Sequence, residues 1–225
     1  MTLLEVIVLI AVVVVLCSLA TPHAYISVVK SRESKDLSNA RLIHLALFNF
    51  ASDHDGEFPS STDQDNRKPN EKARPLTTSN DAFANLIPRY IASEKTFWIE
   101  GSAWCNPTKP DENITPGNML AAGENGFAYV EGLSTTSNGN LPLVADGFKE
   151  GQPGVYTSDV KAKGGVWRGK VAVVVRVDGS GALEQLNPTD FKVYGHTTSN
   201  TRDDIFAPAP GWLEPKNKPL NPASK

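Results

Sequence analysis

Apolar residues are spread unevenly along the chain. Leu3 to Ala20 is almost wholly aliphatic, and Glu5 is the only charge in it. A helical stretch of about 20 such residues is what a bilayer core requires. Beyond Pro22 the pattern becomes mixed. Leu37, Ala40, Ile43, Leu47 and Phe50 recur at spacings of three and four, the signature of one buried helix face. Leu45, Ala46, Phe48 and Ala51 widen that face. Lys30, Arg32, Glu33, Lys35 and Asp36 lie between the two apolar regions and read as a solvated helix surface. The spacing predicts one helix from about Thr2 to about Ser52, roughly 75 Å long at 1.5 Å per residue. Pro22 removes a backbone donor and predicts a bend. Asp53 to Pro59 supplies the turn residues and the proline that stop the helix.

Downstream the pattern is that of a globular part. Residues 60–78 are polar and read as an exposed loop. Asp81 to Ile91 predicts a short helix capped by Ser79, Asn80 or Asp81 and broken near Pro88. Short apolar runs at Gly126–Val130, Leu141–Ala145 and Lys170–Val177 predict strands. Asp178-Gly179-Ser180-Gly181 followed by Ala182–Leu186 predicts a hairpin return. The tail carries Pro208, Pro210, Pro215, Pro219 and Pro222, and is expected to be extended and to brace a neighbouring subunit. The expected fold class is α+β: a long N-terminal helix with a C-terminal head of antiparallel β-sheet packed on the helix's second half. The expected segments are 1–22, an apolar transmembrane or filament-core helix; 23–52, its amphipathic continuation; 53–206, the head; and 207–225, the Pro-rich tail.

Glu5 is the most informative single residue. An acidic side chain at the centre of a membrane helix costs about 2.5–3.5 kcal/mol even on lenient scales. Three readings compete. Thr2 and Glu5 fit the S/T-x-x-E capping box. Glu5 could sit at headgroup level. It could also pair with the α-amine of an adjacent chain.

Composition narrows the function classes. A net charge of −3 with 21% charged residues gives no electrostatic case for nucleic acid. Two cysteines, Cys17 and Cys105, read as free thiols. His23, His44, His54 and His196 are scattered, with no metal-ligand spacing, nucleophile elbow or phosphate loop. No enzyme, cofactor or metal is expected. Asp53 and Asp55 are the weak metal candidates. They fail as a calcium loop of the EF-hand kind because the twelfth position from Asp53 is Gln64.

Thr2-Leu3-Leu4-Glu5-Val6-Ile7-Val8-Leu9-Ile10-Ala11-Val12 resembles the start of type IV pilins and type II secretion pseudopilins. That family begins, after cleavage by prepilin peptidase, with a methylated residue, a T-L-I-E segment and an aliphatic run. Glu5 and Pro22 hold the family's places for the assembly glutamate and the helix-bending proline. Met1 stands where phenylalanine is usual, and the basic leader is absent from the sequence. Asn39 to Pro59 resembles the helix end of major pseudopilins. Leu86 to Ile91, with Phe97 and Cys105-Asn106-Pro107, is similar to large planctomycete and verrucomicrobial prepilin-like proteins. The resemblance implies a structural subunit that polymerises into a pilus-like filament through its N-terminal helix. A secretion pseudopilin is the alternative, and a single-pass anchored periplasmic binding protein or enzyme a remoter one. It implies a methylated amine at Met1, an intersubunit charge pair at Glu5 and a bend at Pro22. The implied partners are further copies of the chain, prepilin peptidase, and an assembly platform with its ATPase. The implied location is the inner membrane before assembly, then a periplasmic or extracellular filament.

Overall fold

The computed structural model describes residues 2–61, 76–115, 117–196, 202–208 and 211–225, with backbone alone for residues 15–26 and 196. The chain divides into two compact units, Met1–Lys35 and Asp36–Lys225. Helix α1, Leu3–Ser52, contributes to both.

In the first unit, Thr2 and Glu5 open α1. Leu3, Leu4 and the aliphatic positions from Val6 to Val14 are exposed, Leu3 at 81% and Val6 at 40%. Two expectations are corrected here. Among the described residues no helix is long and apolar enough to cross a membrane. From Lys30 the helix is charged. The membrane-spanning lollipop expected as the fold class is therefore not what is observed. The expected inner-membrane monomer, and the location of the filament that followed from it, lose their basis.

In the second unit, the last turns of α1 bury Ala40, Ile43, Ala46, Leu47, Phe50 and Ala51. Leu42, Leu45 and Phe48 stay about half exposed. Arg41 donates from Nη2 to the Gly181 carbonyl at 2.7 Å, and His44 Nε2 lies 2.9 Å from the Val177 carbonyl. Both contacts tie α1 to a β-hairpin. Its arms are β3, Val171–Arg176, and β4, Gly181–Gln185. Gly179 in the turn has φ 81°, which favours glycine.

With β1, Phe127–Glu131, β2, Pro142–Asp146, and β7, Lys218–Leu220, the hairpin forms a five-stranded sheet in the order β4-β3-β2-β1-β7. All its pairings are antiparallel. A second sheet pairs β5, Tyr194–His196, with β6, Arg202–Asp204. The core lies between the sheet and the elements around it. Phe58, Phe83, Phe97, Phe127, Tyr129 and Phe148 are fully buried there.

Pro219 sits in β7 opposite Val130, so the tail pairs with the chain's own sheet. An edge strand tolerates proline because its outer side needs no N–H. The tail is held further by Asn221, whose carbonyl accepts Ser79 N–H at 2.9 Å and whose Oδ1 accepts Phe148 N–H at 2.8 Å.

The short helix α2 is Ser79–Phe83, and its N-cap is Thr78. Asp81 at the third helical position completes a capping box with Thr78. Burial pushes the Asp81 carboxyl up, but hydrogen bonds from Thr78 and Thr77 outweigh it and hold the group below its ordinary value.

Gly165 marks the tightest backbone approach. A Cβ there would lie 1.8 Å from the Asp159 carbonyl oxygen. Gly165→Ala is expected to destabilise the unit by roughly 3 kcal/mol, the upper part of the usual overpacking range, because backbone rather than a flexible side chain must move. Urea unfolding of the two proteins checks it.

Candidate functional site

The N-terminal end of α1 joins a carboxylate to an apolar surface. The Thr2 N–H donates to Glu5 Oε2 at 2.7 Å, and the Glu5 N–H reaches Thr2 Oγ1 at 3.4 Å. This reciprocal pair is a capping box, and the negative charge also lies at the positive end of the helix dipole. Within one chain, then, Glu5 works as a cap. Exposed aliphatic side chains follow directly, from Val6 to Val14. Met1 lies outside the described residues. Pro22 lies within α1, but its side chain and that of Cys17 are outside the description, as are those of His23 and His196.

At the other end of α1, Asp53 Oδ2 accepts from Arg89 Nη2 at 2.7 Å and from Tyr90 OH at 2.8 Å. Asp55 is exposed in the turn with φ 52°. Asp53 is thus engaged in an ion pair with the segment after α2. The two aspartates do not belong to a cluster of potential ligands among the described residues. His54 stacks on Phe50 at 3.8 Å and its Nδ1 lies 2.7 Å from the Phe50 carbonyl. With His44 held at Val177, the two described histidine rings have separate structural roles.

Three acidic residues that sequence spacing did not single out come together instead. Glu94, Asp111 and Glu124 each bring one carboxylate oxygen within 4.8 Å of the others. Glu94 opens the 3₁₀ turn Glu94–Thr96, Asp111 lies in the long loop beyond it, and Glu124 precedes β1. Glu94 is fully buried and Glu124 nearly so, while Asp111 is exposed. Burial pushes the Glu94 carboxyl above its ordinary value. The Leu120 N–H pulls it down, and the charges of Glu124, Asp111 and Glu112 push it up again.

Asp146 also escaped the sequence reading, whereas Cys105 was expected as a free thiol. Asp146 is fully buried at the end of β2, where its Oδ2 accepts from Trp167 Nε1 at 2.8 Å and Val173 N–H at 2.7 Å. The Cys105 thiol is free and buried, and burial pushes its pKa up to about 12, so it is not a nucleophile at neutral pH.

No family model, no curated protein and no solved structure matches this chain.

Proposed function

We propose that the chain is a structural subunit that polymerises into a type IV pilus-like filament through its hydrophobic N-terminal helix. The observation that carries the reading is the contiguous exposed aliphatic surface from Leu3 to Val14, headed by the capped carboxylate of Glu5. Apolar patches beyond a few hundred Å² are rare on monomers and mark interaction sites. Burying such a surface is favourable by about 25 cal/mol per Å², so several copies packed by this segment gain far more than a single polar contact provides. The exposed stripe Leu42, Leu45 and Phe48 on α1 offers a second apolar contact.

Glu5 gives the assembly its selectivity. A carboxylate buried without a partner costs several kcal/mol, so packing that covers residues 3–14 must supply a cation. The α-amine of a neighbouring copy meets that need, with Glu5 exchanging its Thr2 contact for it. The proposal requires Met1 to be the terminus of the assembled chain. Intact mass spectrometry of assembled material is expected to show an N-methylated Met1, and a peptide extending upstream would refute the pairing.

Glu5→Ala is expected to leave the unit Asp36–Lys225 folded while fibres become absent or irregular in electron micrographs. Normal fibres from that variant would confine Glu5 to its cap.

A further inference from the structure

We propose that Glu94, Asp111 and Glu124 form a binding site for a hard divalent cation, and that the cation is calcium. Glu94 carries the argument. Its Oε1 accepts the Leu120 N–H at 2.8 Å, but its Oε2 is buried with no hydrogen-bond partner. A buried carboxylate oxygen without a partner is costly, and such groups coordinate metals or are paired. One carboxylate oxygen from each of the three residues lies within 4.8 Å of the others. Two oxygens bound to one calcium ion at about 2.4 Å can be no more than about 4.8 Å apart, so the spacing admits a shared ion.

The cluster is held in place before any ion arrives. Glu124 accepts the Asp111 N–H at 3.3 Å through Oε1 and the Ala121 N–H at 2.7 Å through Oε2. Asp111 accepts the Asn113 N–H at 2.8 Å. Asn80 Nδ2 donates to the Leu120 carbonyl at 2.6 Å, anchoring the loop from α2. Lys95 pairs with Glu112 at 2.9 Å. Among the described residues, none of the three clustered carboxylates makes a salt bridge.

The donor set selects the metal. All three side chains offer oxygen and none offers nitrogen or sulfur, which disfavours zinc and copper. Magnesium demands near-octahedral geometry and keeps its waters. Calcium accepts six to eight oxygens in irregular arrangements, including bidentate carboxylates. The ion would join the 3₁₀ turn at Glu94 to the loop from Asp111 to Glu124.

The test is calcium titration of the chelator-treated full chain by calorimetry, with thermal unfolding alongside. One calcium per chain is expected, raising the unfolding midpoint by roughly 5 °C or more at roughly 100-fold excess over Kd. Glu94→Gln keeps the shape of the side chain and is expected to weaken calcium binding by about tenfold or more. In chelator it should unfold at or above the wild-type temperature, because a buried charge has gone. Asp111→Asn, at an exposed position, should weaken binding comparably and remains informative should Glu94→Gln fold poorly. The Asp53→Asn, Asp55→Asn double variant should bind as wild type does. Absence of binding at about 1 mM calcium, or unchanged affinity in both Glu94→Gln and Asp111→Asn, would overturn the site. Equal affinity for magnesium would overturn the choice of calcium.

Discussion

Replacing Ile7 and Ile10 together by lysine is expected to abolish self-association of the chain and leave Asp36–Lys225 folded. The two positions are three apart, so they share a helix face, and each is more than half exposed in the single chain. Lysine at both sites is harmless there, because the ammonium groups remain in water. In a packed assembly the same groups would be covered by aliphatic neighbours. Each unpaired charge then costs several kcal/mol, which exceeds the contact energy of the isoleucine it replaces. Sedimentation velocity should show large species for the wild type and monomer for the double variant, with equal near-ultraviolet signals from the buried tryptophans. Wild-type-like association of the double variant would show that this face is not the interface.

Asp146→Ala is expected to produce the largest loss of stability from a single polar residue. Asp146 is fully buried, and one of its oxygens receives both the indole N–H of Trp167 and the backbone N–H of Val173. Its own carbonyl accepts the Tyr156 hydroxyl at 3.3 Å. The residue thus fastens the segment containing Tyr156 and Trp167 to the sheet. Truncation strips two buried donors of their acceptor, each worth about 1–3 kcal/mol, and leaves a void beside them. The sum is roughly 4 kcal/mol, a large share of the 5–15 kcal/mol typical of a domain. The urea midpoint should fall accordingly, and Asp146→Asn, which keeps one acceptor oxygen, should fall less. A change below about 1 kcal/mol for Asp146→Ala would contradict this account of the core.

What was legible in the chain depended on how local its cause was. The valine run of β3 followed by Asp178-Gly179 and Gly181 announces a hairpin, because strand and turn chemistry are written in adjacent residues. The buried face of α1 was legible from its spacing, except that Leu45 and Phe48 face outward. Hydrophobicity marked them as core, but only the packed side of the helix could receive them. The α2 cap was misplaced by one to three residues because Ser79, Asn80 and Asp81 all have capping side chains. Asp81 decides the register by serving as the third helical residue of a box opened by Thr78. Strand β7 was hidden by the prolines around it, since a pairing with β1 made ninety residues away leaves no periodicity in the tail. Glu94, Asp111 and Glu124 have no motif spacing because a 3₁₀ turn and two separated positions of the loop beyond it are brought together only by the fold, and Asp146 reads as an ordinary strand-end residue. The Thr2–Glu5 cap was written in the sequence. Whether Glu5 also pairs between copies depends on a neighbour, and no single chain contains that information.

Helical reconstruction of the assembled wild-type chain by electron microscopy tests the central claim most directly. The account predicts that residues 3–14 of neighbouring copies pack against one another at the fibre centre, with each Glu5 carboxylate beside the α-amine of another copy. A fibre held together only through Asp36–Lys225, with residues 3–14 facing solvent, would contradict it.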